Sequence, residues 1–206
     1  MPLWTVTIWD KRFNTVSREK QAQVKSYPYL LAADLFALEE NSGNVFLLST
    51  GEQTGWTTEE MAGNNLCEGE VVTIPWGKSR PVKEVIKYYK GKFVTADNRI
   101  ATSNNVDILS NKYLYYFMQS QGEVIDTFYR GSGIKHPNMG QVLDMLITLP
   151  SIEEQERIVN ILDKYDRLCN DIKEGLPAEI EKRQQQYEYY RDKLLTFKGN
   201  DSVRNN

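Results

Sequence analysis

The sequence predicts an α+β protein, with a mixed globular domain over residues 1–150 followed by a long amphipathic helical region over residues 151–198. Three observations carry this reading. Short apolar runs rich in Val and Ile, bounded by Asn, Ser, Gly or Pro, read as strands. A well-capped helix starting at Ser110-Asn111 stands among them. From Ser151 onward the apolar residues fall into a heptad rhythm that the front of the chain lacks. A chain of 206 residues has room for one domain and an appendage, and 40% hydrophobic with 11% aromatic content excludes a disordered polymer.

In chain order, Leu3 to Trp9 carries large residues at spacings near two and reads as a strand or docked arm. Ser17 caps a short polar helical stretch reaching about Lys25, which Tyr27-Pro28-Tyr29 ends. Val45-Phe46-Leu47-Leu48 is a compact buried strand, and a polar loop runs from it to about Glu70. Val71 to Pro75 is a second strand. Val82 to Tyr89 and Phe93 to Ala96, joined by Lys90-Gly91-Lys92, read as a hairpin, and Arg99 to Thr102 extends the same sheet. The helix from Ser110 carries Tyr113, Leu114, Phe117 and Met118 on one face and is expected to end at Gly122. Val124 to Tyr129 leads into the Gly- and Pro-punctuated, locally basic loop 130–138, and Gln141 to Leu149 is apolar again.

Ser151 is a helix N-cap with Glu153 and Glu154 placed near the positive end of the macrodipole. Ile158, Leu162, Tyr165, Cys169, Ile172 and Leu176 then recur at alternating spacings of four and three. Gly175 and Pro177 interrupt the run, which calls for either a kink or a short hairpin; the kink is favoured because the apolar stripe stays in phase across the break. Beyond it Ile180, Gln184, Tyr187, Arg191 and Leu194 continue the rhythm, and residues 199–206 are expected to be a disordered tail. The seam exposes more apolar surface than a terminal helix needs and calls for a partner.

Composition narrows the function classes. Residues 1–150 hold 15 Lys and Arg against 16 Asp and Glu, so any nucleic-acid surface must be a local patch and not a global field. No run approaches a membrane span and residues 1–9 lack the pattern of a signal peptide, so the default location is the cytoplasm, with no membrane partner. Cys67 and Cys169 lack paired spacing and read as reduced structural thiols. One His, no Cys-x-x-Cys, no phosphate-cradling Gly-rich loop and no nucleophile elbow leave no catalytic constellation, no metal site and no cofactor; His136 alone is a weak general-base candidate. What remains are binding clusters: Lys78, Ser79 and Arg80 behind Trp76-Gly77, then Asn98 and Arg99, then Ser132, Lys135 and His136. Arg and Lys read guanine edges or phosphates, and Asn, Ser and His hydrogen-bond base edges or backbone. The same residues are also ordinary solvated loop groups, and composition does not separate the two readings.

The stretch Leu149-Pro150-Ser151-Ile152-Glu153-Glu154-Gln155-Glu156-Arg157-Ile158-Val159 resembles the junction motif of type I restriction–modification specificity subunits. The run from Glu174 to Glu181, and then from Gln185 to Leu195, is similar to the conserved helical region of that family. Trp9-Asp10-Lys11-Arg12-Phe13 and Arg130 to His136 resemble its target-recognition domain. The resemblance implies a non-catalytic DNA-recognition subunit, whose conserved helices pair as an antiparallel coiled coil and dock the methyltransferase (modification) subunit, with the restriction subunit joining through the assembled complex. Where typical members carry two recognition domains and two helical regions, this chain carries one of each and looks like half a subunit. A homodimer paired through Ile158, Leu162, Tyr165, Ile172, Ile180, Tyr187 and Leu194 is therefore expected, reading an interrupted palindrome in double-stranded DNA. Two alternatives stand: a coiled-coil interaction adaptor without DNA specificity, or a truncated half of a longer specificity subunit.

Overall fold

The computed structural model describes residues 1–51, 54–78 and 80–195. In chain order the elements are β1 (Thr7–Trp9), β2 (Tyr29–Leu30), α1 (Ala32–Phe36), β3 (Val45–Leu48), β4 (Trp56–Thr57), α2 (Glu59–Ala62), β5 (Cys67–Pro75), β6 (Lys87–Ala96), β7 (Asn98–Ser103), α3 (Asn111–Ser120), α4 (Gly122–Asp126), β8 (Tyr129–Arg130), β9 (His136–Pro137), α5 (Met139–Leu143) and α6 (Ile152–Leu195). The first seven strands form one mixed sheet in the order β1-β7-β5-β6-β3-β4, with β2 also on β6, and β8 pairs β9 in a small separate ribbon. Strands β2 and β3 run parallel to β6 while the other pairings are antiparallel, so the α+β class holds.

Central strand β5 shows why both faces of the sheet are covered. Val72 and Ile74 enter a core with Leu3, Trp9, Leu114, Met118 and Leu143, while Val71 packs on the opposite side with Leu48, Phe93 and Ile100. This is the period-two alternation of a strand buried on both faces. A third cluster joins Leu35, Val45, Leu47, Val94 and Ala96 under α1.

The predicted hairpin at Lys90-Gly91-Lys92 is not formed; β6 is one continuous strand. Gly91 sits opposite Gly69 in the β5–β6 register, at φ 140° and 159° respectively. The two glycines thus serve a shared distortion in paired strands, where an isolated reading of Gly between lysines suggests a turn. Val82–Glu84 is a single 3-10 turn behind Pro81 and not the start of a strand. The sheet also coils: β6 pairs with β5 from Lys87 opposite Thr73 to Phe93 opposite Cys67, yet β7 begins opposite Pro75. Asp97 alone makes the β6–β7 corner, at φ 54°, a left-handed conformation that Asp tolerates.

Ser110 caps α3 as expected, its Oγ accepting from the Tyr113 N–H at 3.3 Å, and Leu114 and Met118 are fully buried. Gly122 opens α4 instead of ending α3: a Cβ there would lie 2.5 Å from the Lys83 Cβ and 3.0 Å from its Cα, so close packing and not helix termination demands glycine. The polar stretch after Ser17 reduces to a 3-10 turn at Glu19–Gln21.

Two units make up the chain, Met1–Val159 and Asn160–Asn206. The first extends beyond the expected boundary at Pro150, because Gln155 is buried in it. Helix α6 runs without interruption from Ile152 to Leu195, through Gly175 and Pro177. The helix is continuous across 175–177, so the hairpin alternative is not formed. A proline removes one ladder bond, and the helix-forming Leu, Ala, Glu and Lys around it retain theirs. The predicted tail at 199–206 lies outside the described residues.

Gln155 is fully buried, and its Oε1 accepts from the Ser110 N–H at 3.0 Å while its Nε2 donates to the Ile108 carbonyl at 2.8 Å and the Pro150 carbonyl at 3.0 Å. One side chain thereby ties the cap of α3 to the start of α6. Gln155→Leu strands those backbone groups, at a cost of about 1–3 kcal/mol for each left unsatisfied. The urea midpoint is expected to fall accordingly, and an unchanged midpoint contradicts this account.

Candidate functional site

The loops after β5 and between β8 and β9, distant in sequence, meet at Trp76. The Trp76 N–H donates to the Asp97 carbonyl at 2.9 Å, and the Trp76 carbonyl lies 2.9 Å from His136 Nδ1. Because a carbonyl only accepts, this contact places a proton on Nδ1. The two rings lie 4.8 Å apart, tilted by 40°. Two residues on, the Lys78 N–H donates to the Lys135 carbonyl at 3.1 Å, and a Cβ on Gly77 would lie 2.5 Å from Ile134 Cγ2.

Arg99, at the start of β7, is the half-buried cation of this surface. Its guanidinium lies 5.5 Å from the Trp76 ring and 5.9 Å from the Phe13 ring. Burial lowers its pKa and the Asp10 carboxylate opposes that, while burial raises the Asp10 pKa against the pull of Arg99. Asp10 is held by the Ile100 N–H at 3.3 Å. The segment carrying Lys11 and Phe13 is pinned by buried Gln21, whose Oε1 accepts from the Phe13 N–H at 2.7 Å and whose Nε2 donates to the Lys11 carbonyl at 3.0 Å. Lys11, Arg12, Trp76, Arg99 and His136 line one open depression.

The predicted DNA contacts divide on this frame. Arg99 and His136 come together at Trp76; Ser132 and Lys135 are exposed on the β8–β9 loop, and Arg80 lines a neighbouring depression with Gly51 and Gly77. Ser79 lies outside the described residues. Two assignments to exposed loops are corrected. Asn98 is buried in β7, its Nδ2 donating to the Leu48 carbonyl at 2.9 Å. Lys78 is largely covered, paired with Asp126 and 5.5 Å from the Tyr129 ring. Burial would raise the Asp126 pKa, but the Lys78 hydrogen bond and the Val82 N–H at 2.8 Å hold it below the ordinary carboxylate range. Strand position hides Asn98, and a carboxylate 48 positions away in sequence claims Lys78, neither of which a local reading reveals. Residues not singled out as contacts, Lys11, Arg12 and Trp76, belong to the surface; the aromatic-plus-cation pattern of 9–13 was the available signal.

Cys67 is a buried free thiol whose pKa burial pushes up to about 11. Among the described residues no group of three His, Cys, Asp or Glu is placed to hold a metal ion, and no helix is long and apolar enough to cross a membrane. Along α6, Ile158 and Leu162 are partly covered and Tyr165 is exposed. The side chains of Ile172, Ile180, Tyr187 and Leu194 lie outside what is described.

A family model for the type I restriction modification DNA specificity domain matches residues 14–182. The chain is 45% identical over 96 residues to the specificity subunit of the Escherichia coli type I restriction enzyme EcoR124I/EcoR124II, covering 46% of this chain and 24% of that one. It is 28% identical over 167 residues to a putative type I specificity subunit of Mycoplasma pneumoniae, covering 81% and 53%. A crystal structure of a type I S subunit from M. genitalium shares the fold, with a TM-score of 0.57 at 16% identity, over 94% of this chain and 44% of that one. The match thus spans between a quarter and about half of these relatives' lengths.

Lys87, beside this surface, has its ammonium on the Gly51 carbonyl, and burial first and the Arg80 charge second lower its pKa from 10.5 to about 8. The unfolded chain therefore holds this proton across pH 8–10.5 where the folded one releases it, so stability from this group rises with pH through that window. Lys87→Met is expected to flatten that rise in urea midpoints measured from neutral pH upward; an identical rise in the variant contradicts the assignment.

Proposed function

Because the chain belongs to the type I restriction modification DNA specificity domain family, we propose that it is the non-catalytic, DNA-reading part of a type I restriction–modification assembly and that the surface around Trp76 faces the DNA. The observation that carries this reading is the convergence of Arg99, Lys11, Arg12 and His136 on one depression beside Trp76, in a domain whose net charge is near zero. A local patch of cations and hydrogen-bonding groups around an aromatic is what readout requires of such a domain. Arg99, Ser132, Lys135, His136 and Arg80 are the proposed contacts, with Lys11 and Arg12 beside them. Lys78 and Asn98 hold the loops and strands that present them.

The chain is further proposed to act as a half-size subunit that pairs with a second copy through α6 and docks a methyltransferase subunit there, with a restriction subunit joining the assembly. Support comes from the heptad spacing of Ile158, Leu162 and Tyr165 and from the exposure of Ile161, Tyr165, Leu168 and Leu176. Two copies related by a two-fold axis read inverted half-sites.

Methylation mapping by long-read sequencing, in cells expressing this chain with its methyltransferase subunit, is expected to give an interrupted palindrome. An asymmetric bipartite site contradicts the homodimer. Residues inserted near Gly175 are expected to change the spacer and leave the half-sites intact. Arg99→Ala and Lys135→Ala are expected to weaken duplex binding by the assembled complex. A base contact relaxes one position, worth about 1–3 kcal/mol, whereas a phosphate contact lowers affinity on every sequence and reduces the salt slope by about one. Binding unchanged in both variants removes this surface from the DNA interface.

A further inference from the structure

Ile134, 70% exposed, stands at the tip of the β8–β9 ribbon, in a segment from Arg130 to Asn138 that holds Arg130 and Lys135 and no carboxylate. We propose that Ile134 reads the 5-methyl group of a thymine in the major groove, an inference that rests on the DNA-reading role above. Single exposed aliphatic residues are ordinary on protein surfaces. This one is set apart by the bracing of its loop. The ribbon is closed by the Tyr129–Pro137 and Arg130–His136 pairs, and its base is tied to β5 by the Tyr129 hydroxyl, which donates to the Pro75 carbonyl at 2.6 Å. On either side of Ile134 the chain is fixed. The Lys78 N–H donates to the Lys135 carbonyl at 3.1 Å, and Gly131, at φ 140°, lets the loop close so tightly that a Cβ there would lie 2.9 Å from the Ile134 carbonyl oxygen. One methyl of Ile134 occupies the space that a side chain on Gly77 would need, and the rest of the side chain stays open to solvent. An apolar group preorganised in this way gains free energy only when a partner covers it.

The surroundings select the partner. Arg130, Ser132, Lys135 and His136 are exposed around Ile134, and the depression lined by Lys11, Arg12 and Arg99 continues from His136. A protein partner covering an apolar residue needs an apolar patch several residues wide. The other exposed residues of this loop are glycine, serine and basic side chains. Duplex DNA asks for the opposite arrangement, a basic, hydrogen-bonding surface with isolated apolar points, because the apolar group on its major-groove base edges is the thymine methyl. An aliphatic side chain makes no hydrogen bond and so cannot tell the polar edges apart; the methyl is the base feature it can read. Size agrees as well, since two paired strands about 4.8 Å apart enter a groove about 12 Å wide.

The test uses the complex assembled with the methyltransferase subunit and duplexes carrying the mapped site, in which each thymine in turn is replaced by deoxyuridine. That replacement removes only the 5-methyl group. Kd is measured by fluorescence anisotropy for the parent and for Ile134→Ala. In the parent, deoxyuridine at one thymine position is expected to weaken binding about four-fold, the worth of burying one methyl-sized group. Ile134→Ala is expected to bind the thymine and deoxyuridine duplexes alike at that position and to behave as the parent does at the others. Its urea midpoint is expected to match the parent's, since the residue lies outside the core. Deoxyuridine tolerated by the parent at every position, or a discrimination that survives in Ile134→Ala, overturns the methyl contact and leaves the DNA-reading role standing. A half-site without an A·T pair does the same. A loss in Ile134→Ala that is equal on thymine and deoxyuridine duplexes assigns the residue to the DNA backbone or to a base step and overturns the methyl contact. If the variant no longer assembles with the methyltransferase subunit, Ile134 belongs to a protein interface and the contact is overturned. A parent complex that binds no duplex removes the DNA-reading role and the contact together.

Discussion

The two backbone polar groups of Trp76 join three segments that are far apart in sequence. Its N–H donates to Asp97 at the β6–β7 corner and its carbonyl meets His136 on the β8–β9 ribbon. With both groups paired, the Trp76 backbone is fixed between these segments, and its ring stands half exposed beside Arg99 and His136. Arg99 follows from the same arrangement, since the one-residue corner at Asp97 sets β7 directly beside Trp76. If that corner moved, the depression shared by Lys11, Arg12, Arg99 and His136 would lose its floor.

Charge is used economically in this domain. With 15 basic against 16 acidic residues up to Pro150, there is no broad field to attract a polyanion. Several cations are spent internally: Lys78 on Asp126, Lys20 on Asp144 and Lys92 on Glu59. The Lys78–Asp126 pair also receives the Val82 N–H, so it anchors the loop after β5 to the end of α4. Exposed pairs such as Lys92–Glu59 contribute little to stability, and they leave the cations around Trp76 as a local feature. A surface of this kind acts locally and not through a broad field.

The long helix begins inside the globular unit, since Gln155 is fully buried and satisfies groups from Ile108, Ser110 and Pro150. The junction sequence that resembles the specificity-subunit motif therefore has a local physical role: it plugs the cap of α3. That role explains why a glutamine, with both a donor and an acceptor, stands four residues into an otherwise amphipathic helix.

Local chemistry in the sequence determined much of this protein. The Ser110 and Ser151 helix starts, the β3 and β7 strands, the heptad spacing after Ser151 and the α+β class all rest on neighbours a few residues apart, and so are legible without a fold. The tertiary structure decided what depends on distant partners. Gly91 looks like a turn until Gly69 is set opposite it in β5, and Gly122 looks like a helix stop until Lys83 packs against it. Pro177 looks like a break, but the α-helix continues through it. Among candidate contacts, Asn98 and Lys78 have the same chemistry as surface readers, and only the positions of Leu48 and Asp126 show that their polar groups are already taken up. Whether a polar side chain is available depends on which groups the fold brings within about 3 Å of it, and that is a property of the assembled sheet, not of the residue's own neighbourhood in the chain.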